Sequence, residues 1–288
     1  MGKPTRILLQ CSIPFTQDDW HVGRFSMLRD ELSGVADVTA RNREPDENGN
    51  DPVLSNLSRS KFDELWIFGV DCGTALSTRD LDAINRFHVE GGGLLTARDH
   101  QDMGLWLRRI NGVGAAHFFH NPECCEPDPS RQSPDDHETG TISWPNYHSG
   151  SNGDLESITA VEPLHPLLRR PGSAAERIRF FPAHPHEGAV GAPPNEPRAR
   201  TVARGKSLVT GRDFNLIVAF ERTANARGRA IAESSFHHFA DYNWDVSRGA
   251  PSFVTEKPGT QIANQPRALD DIRAYVRNAA QWLAPADI

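Results

Sequence analysis

The stretch Gly91-Gly92-Gly93-Leu94-Leu95-Thr96-Ala97-Arg98-Asp99-His100 decides the fold. Glycine commonly ends a helix, and the apolar run that follows suits a strand buried on both faces. The polar turn comes next, at the carboxyl end of that strand, where open α/β sheets bind ligands. We therefore expect Arg98, Asp99 and His100 to line a functional crevice. The alternative is that Asp99 only caps a following helix and pairs with Arg98.

Strands and helices alternate on both sides of this stretch. Hydrophobic periodicity and end signals predict strands at residues 6–11, 35–40, 64–69 and 94–97, and helices at residues 20–32, 52–57, 78–90 and 101–110. Ser77 and Asp80 form a capping pair for the helix at 78–90, and Gly91 ends it. This order predicts a three-layer αβα fold with a mostly parallel sheet.

The second half of the chain is less regular. Residues 112–210 are rich in Pro, Gly, His and Asn, which predicts long loops and small extensions over the carboxyl edge of the sheet. Strands are predicted again at 214–221 and 228–236, as a hairpin, and an amphipathic helix at 268–283. We expect one domain over residues 1–288, with 112–210 as a loop-rich insertion.

The bulk composition excludes several classes of function. The 288 residues carry a net charge of −7, which offers no broad cationic surface for nucleic acid. No apolar stretch is long enough for a signal peptide or a membrane span, so we expect a cytoplasmic protein that does not bind membranes. The four cysteines are sparse, which argues against a disulfide framework. A redox function for the adjacent Cys124 and Cys125 is the least favoured hypothesis.

The histidines suggest where chemistry occurs. There are twelve, and most follow residue 99. In His184-Pro185-His186-Glu187 an extended backbone would place both imidazoles on one side, as metal ligands require. A surface loop with backbone-bonded histidines is the alternative. His237 and His238 end a predicted strand, so only one of them can face the crevice.

Three segments together resemble the class I glutamine amidotransferase-like superfamily, in particular its ThuA-like branch. They are Trp66-Ile67-Phe68-Gly69, the glycine-rich stretch that ends in Leu94-Leu95, and the late strand from Gly228 to His238. The resemblance implies a flavodoxin-like sheet and a small-molecule, carbohydrate-related role. In amidotransferases the turn after the glycine-rich strand holds a catalytic cysteine, and a late Phe-His-Pro-Glu supplies the base and its orienting carboxylate.

This chain departs from that pattern at both positions. Arg98 or Asp99 stands where the thiol would be, and Phe236-His237-His238-Phe239 lacks the glutamate. A thiolate glutaminase is therefore not expected. By analogy with the late triad histidine, His237 is the residue expected to face the crevice.

These observations favour a metal-dependent hydrolase or lyase that acts on a small polar, carbohydrate-like molecule. The candidate catalytic residues are Arg98, Asp99, His100 and His237, and the candidate ligands of a divalent metal such as zinc are His184, His186, Glu187 and His238. The polar and aromatic segments at 144–154 and 241–245 suit recognition of such a molecule. The alternative is a non-catalytic ligand-binding or assembly protein on an amidotransferase-like scaffold. We also expect the chain to form homo-oligomers.

Overall fold

The central sheet is built on short apolar strands that are buried on both faces. The computed structural model describes residues 3–73, 76–117, 142, 145–172, 176–223 and 228–286. The strands are β1 (Arg6–Cys11), β2 (Asp37–Asn42), β3 (Glu64–Phe68), β4 (Gly93–Ala97), β5 (Leu155–Ser157), β6 (Thr159–Ala160), β7 (Phe180–Pro182), β8 (Ala199–Lys206), β9 (Asp213–Phe220) and β10 (Ala230–Glu233). The α-helices are α1 (Ser26–Ser33), α2 (Thr78–Val89), α3 (Asp241–Trp244), α4 (Gln261–Asn264) and α5 (Pro266–Leu283).

Eight of these strands form the central sheet, in the order β2-β1-β3-β4-β10-β9-β8-β6. The first five pair in parallel, and β9, β8 and β6 add antiparallel pairs at one side. Strands β5 and β7 pair separately as a small antiparallel sheet. The predicted mostly parallel sheet is confirmed.

Helices cover both faces of the sheet, because alternate side chains of each strand point to opposite sides. Ile7 and Leu9 of β1 belong to one core, which also contains the buried faces of α1 and α5. Leu8, between them, belongs to a second core under α2. The two cores make the three layers that the alternation of elements predicts.

The start and end signals around α2 act as predicted. Ser77 Oγ accepts a hydrogen bond from the backbone N–H of Asp80, and the Asp80 carboxylate accepts one from the N–H of Ser77. Gly91 has a φ of 103°, a conformation that residues with a Cβ rarely adopt. The chain can therefore leave the helix and enter β4 directly.

The helix predicted at residues 101–110 is wrong. Only a short 3-10 helix forms, at Leu105–Arg109, and it follows Gly104, whose φ is 69°. A Cβ at Gly104 would come within 2.8 Å of the Gly69 carbonyl oxygen, so this segment bends closely over the end of β3. The helix predicted at 20–32 is also divided, into a 3-10 helix at Val22–Phe25 and α1.

The region predicted to be loop-rich contributes four strands. Strand β8 is eight residues long and joins the central sheet beside β9, while β5 and β7 form the small sheet. The arginines of β8 are only partly buried, which hides its strand pattern in the sequence. No helix among the described residues is long and apolar enough to cross a membrane.

Candidate functional site

Three segments bring polar side chains to the carboxyl edge of the sheet. Parallel pairing of β4 with β10 places the turn after Ala97 beside the turn after Glu233. A hydrogen bond of 2.7 Å from the backbone N–H of Phe236 to the Arg98 carbonyl fixes the two turns together. The turn after β7 then carries residues 184–187 over this edge, held by the backbone pairing of Glu187 with Tyr147.

Three imidazoles surround one carboxylate oxygen at this edge. The Oδ2 atom of Asp99 lies 3.2 Å from Nε2 of His184, 3.5 Å from Nε2 of His100 and 3.6 Å from Nε2 of His237. We call these four residues the outer cluster. Ligand atoms about 2.0–2.2 Å from a common ion lie roughly 3.0–3.5 Å apart when they are adjacent. The spacing therefore fits a metal ion held by Asp99, His184 and His237, whose ligand atoms all lie within 4.8 Å of one another.

Several donors in the outer cluster lack the partners that burial demands. Among the described residues, neither Oδ2 of Asp99 nor Nε2 of His184 has a hydrogen-bond partner, although both are buried. Their contact of 3.2 Å is not aligned as a hydrogen bond. Buried polar atoms without partners are costly, so their shared direction indicates a common ligand between them.

Neighbouring side chains hold these donors in place. Ser235 donates a hydrogen bond of 2.7 Å to Oδ1 of Asp99, and Nδ1 of His184 lies 2.9 Å from the side-chain oxygen of Asn152. The rings of His184 and His237 stack at 3.5 Å, and Trp20 packs edge-on against His237. Such outer hydrogen bonds fix the orientation and tautomer of metal-binding side chains.

The charge states of the outer cluster also suit a cation. Burial lowers the pKa of the imidazoles, to about 4 for His100, below its ordinary value for His184, and well below it for His237. Burial opposes ionisation of Asp99, but the three imidazoles outweigh it and hold the pKa of this carboxyl well below its usual range. Neutral imidazoles and an ionised carboxylate are the forms that bind metals.

The outer cluster opens into a cavity of about 230 Å³. Asn152, His186 and Glu256 supply further polar groups on its wall, and the apolar lining comes from Trp20, Met103, Ile142, Phe253 and Val254. Nε2 of His186 lies 3.1 Å from Oε1 of Glu256. Among the described residues, no Lys or Arg lines the cavity.

A second polar cluster lies within the protein, away from this cavity. It contains Glu156, Glu187, Glu233, His238 and Tyr275, and we call it the inner cluster. Nε2 of His238 lies 2.9 Å from Oε1 of Glu187 and 3.5 Å from Oε1 of Glu156, and Nδ1 lies 3.4 Å from Oε2 of Glu233. Tyr275 donates a hydrogen bond to Glu233. Glu156, Glu187 and His238 form the second group that could hold a metal.

Burial and like charge shift the protonation of the inner cluster. Burial, with Glu187 nearby, raises the pKa of Glu156 to about 8, and burial raises the pKa of Glu233 as well. Burial opposes a charged His238, but the surrounding carboxylates, Glu187 first, outweigh it and raise the pKa of His238 well above its ordinary value.

The predicted site residues divide between these two clusters. Asp99, His100 and His237, predicted as catalytic, lie together with His184, which was predicted as a metal ligand. Glu187 and His238, predicted as ligands of the same metal as His184, lie in the inner cluster. His186 lies on the cavity wall beside Glu256. Of the adjacent pair, His237 faces the cavity and His238 faces the interior.

Arg98 contacts the turn rather than the cavity. Its guanidinium donates hydrogen bonds to the backbone carbonyls of Asp99, His100 and Gln101, and the residue is 1% exposed. These contacts shape the turn that carries Asp99 and His100. In this position Arg98 is suited to positioning the cluster.

The cysteines do not supply a thiolate at this edge. Cys11 is buried, which raises its pKa, and burial together with Asp102 raises the pKa of Cys72 to about 11. Cys124 and Cys125, considered for redox chemistry, lie outside the described residues. His117, from the same segment of the sequence, contacts Thr96 at 2.9 Å.

Several residues of both clusters have no signal in the sequence. Glu156 lies on β5 in the region predicted as loops, and Glu256 lies in an irregular segment before α4. Ser235 and Glu233 are part of the late strand motif, but nothing in their spacing indicates their partners. Asn152 falls in the polar segment at 144–154, so composition does point to its neighbourhood.

Comparison with known proteins shows similarity of fold. No family model and no curated protein sequence matches this chain. A ThuA-like protein from Parabacteroides merdae is similar in structure, with a TM-score of 0.54 and 13% identity over 98% of this chain and 92% of that protein.

Two amidotransferase structures match more distantly. They are the glutaminase domain of Trypanosoma brucei CTPS, with a TM-score of 0.43 and 14% identity over 96% of this chain and 94% of that one, and a GMP synthase protein from Thermoplasma acidophilum, with 0.41 and 8% over 98% and 97%. The chain therefore has the three-layer α/β fold of the ThuA-like, class I glutamine amidotransferase-like proteins.

Proposed function

We propose that this protein is a metal-dependent hydrolase or lyase whose centre is the outer cluster. The observation that carries the proposal is the convergence of three imidazole Nε2 atoms on one oxygen of Asp99, at 3.2–3.6 Å. Asp99, His184 and His237 would hold a divalent metal, and His100 would complete the set. Histidine with one carboxylate is a ligand combination found in catalytic zinc sites.

A metal at this place would polarise a substrate oxygen or activate a bound water near neutral pH. The protein would contribute the geometry, because Ser235 and Asn152 fix the carboxylate and one imidazole in orientation. The cavity in front of the cluster is the space into which a small molecule would fit.

His186 is the candidate for proton transfer beside the metal. It lines the cavity, and Glu256 contacts its Nε2 at 3.1 Å, so the carboxylate can orient the ring and stabilise its protonated form. The pair lies on the same cavity wall as His184, whose ring centroid is 5.0 Å from that of His186.

The lining of the cavity favours a substrate without negative charge. Glu256 and Asp99 are anionic, and the described lining contains no Lys or Arg to bind a phosphate or carboxylate. Trp20 and the half-exposed Phe253 form an aromatic wall, with ring centroids 6.5 Å apart. Aromatic rings beside amide and carboxylate groups suit a neutral, carbohydrate-like molecule.

The test combines metal analysis with turnover of a panel of neutral p-nitrophenyl glycosides and esters. We expect the purified full-length protein to bind Zn²⁺ or Mn²⁺, and a chelator to abolish turnover. His186→Ala should retain the metal and lose turnover, whereas Asp99→Asn should lose both. Asp30→Asn, which changes an exposed aspartate, is the matched control and should change neither.

Two results would overturn the proposal. Turnover that survives chelation and the Asp99→Asn change would exclude a metal mechanism at this cluster. Metal bound at the outer cluster with no turnover of any neutral substrate would instead favour a non-catalytic ligand-binding protein.

A further inference from the structure

The inner cluster is separate from the cavity and has a donor arrangement of its own. Its three convergent atoms are Oε1 of Glu156, Oε1 of Glu187 and Nε2 of His238. All three residues are buried, with exposed fractions of 3%, 0% and 0%. The separations of 2.9 Å and 3.5 Å from His238 to the two carboxylates fall in the range of adjacent ligands on one ion.

Glu156 supplies the observation that points to a missing ligand. Both of its carboxylate oxygens are buried, and neither has a hydrogen-bond partner among the described residues. A Cβ at Gly205 would lie 2.4 Å from Oε2 of Glu156, so the backbone opposite offers room for the carboxylate but no side-chain donor. A buried carboxyl in this position is unfavourable unless something binds it.

The rest of the inner cluster supports the convergent atoms from behind. Nδ1 of His238 faces Glu233, which in turn accepts a hydrogen bond from Tyr275. Oε2 of Glu187 accepts a hydrogen bond of 2.8 Å from Ser149. A carboxylate behind the second ring nitrogen of a histidine is the usual outer arrangement at metal sites.

Charge gives a further reason for a cation. Three carboxylates, from Glu156, Glu187 and Glu233, face a single imidazole in a region closed to solvent, and within the described part of the chain no Lys or Arg forms an ion pair with them. Uncompensated buried charge is strongly destabilising. A divalent ion would balance the excess of negative charge.

We propose that Glu156, Glu187 and His238 form a second divalent metal site, structural in role and distinct from the outer cluster. The oxygen-rich ligand set favours a hard ion such as Mn²⁺. The ion would join three segments of the chain, because Glu156 belongs to β5, Glu187 follows β7, and His238 follows β10. It would thereby hold the turn at residues 184–187 against the sheet.

The test counts Mn²⁺ in the full-length protein expressed with Mn²⁺ and passed through a desalting column. We expect two ions per chain in the wild-type protein and one in Glu156→Gln, which keeps the shape of the side chain. Asp99→Asn should also leave one ion, and the double variant none. Glu64→Gln, at another buried glutamate on β3, is the matched control and should keep two.

The outcomes separate this proposal from the proposed function. A count that Glu156→Gln leaves unchanged would overturn the inner site, even if Asp99→Asn lowers it. A single ion that Glu156→Gln removes and Asp99→Asn leaves would support the inner site while contradicting a metal at the outer cluster. A chelator should remove the outer ion from the folded protein and release the inner one only on unfolding.

Discussion

The outer and inner clusters use the same side-chain types but differ in access and in charge. The outer cluster has one carboxylate among three imidazoles and opens into a cavity, whereas the inner cluster has three carboxylates around one imidazole and is enclosed. The adjacent histidines His237 and His238 belong one to each. The comparison indicates that one turn after β10 serves both a candidate reaction centre and the structure that supports it.

The largest expected difference concerns stability. His238→Ala removes the imidazole from between three buried carboxylates, and breaking a buried ion pair in this way costs about 3–5 kcal/mol of unfolding free energy. His237→Ala should cost much less in metal-free buffer, because burial already disfavours the charged form of His237. Urea unfolding of both variants measures this difference. Equal losses would contradict the division into two clusters.

The next expected effect is a loss of stability in acid. In the folded metal-free protein the pKa of His100 is about 4, below its ordinary value of 6.5, because of burial. Folding therefore excludes a proton from this group, so stability is complete above pH 6.5 and falls as the pH drops towards 4. At about 1.4 kcal/mol per unit, His100 alone would contribute about 3 kcal/mol to this loss.

This acid dependence can be measured by unfolding the chelated protein between about pH 4 and pH 7. His100→Gln should flatten the decline, because glutamine does not take up a proton in this range. A variant that declines as steeply as the wild-type protein would show that His100 does not carry the effect.

The smallest expected effect compares two adjacent serines. Ser235 donates a hydrogen bond to Asp99, and Ser234 donates one of 2.8 Å to Glu187. Ser235→Ala should weaken metal binding at the outer cluster by about 10–100-fold, the usual cost of losing an outer hydrogen bond. Ser234→Ala should leave outer affinity near the wild-type value. Titration with Zn²⁺ measures both, and the opposite ranking would show that the assignments of the serines are exchanged.

Much of the fold follows from the sequence, because local patterns determine it. The buried runs of β1, β3 and β4 and the Ser77–Asp80 cap are each readable within a few residues. The predicted helix at 101–110 fails because Gly104 bends the chain over Gly69, a contact between distant segments. Strand β8 is missed because its exposed arginines interrupt the apolar pattern.

The candidate site is less predictable, because it depends on which segments meet. The sequence indicates Asp99, His100, His184 and His237 as polar groups at strand ends, and these four do converge. It cannot separate His184 from Glu187, since a single turn directs one outward and the other inward. Glu156 reaches the inner cluster only through the pairing of β5 with β7, which no local pattern reveals.

The most direct test of the outer cluster as a metal centre is anomalous X-ray diffraction from crystals grown with Zn²⁺. The account predicts an anomalous peak about 2.0–2.2 Å from Oδ2 of Asp99 and from Nε2 of His184 and His237. The peak should be absent in crystals of His237→Ala. A fully loaded crystal with no peak among these three atoms would contradict the account.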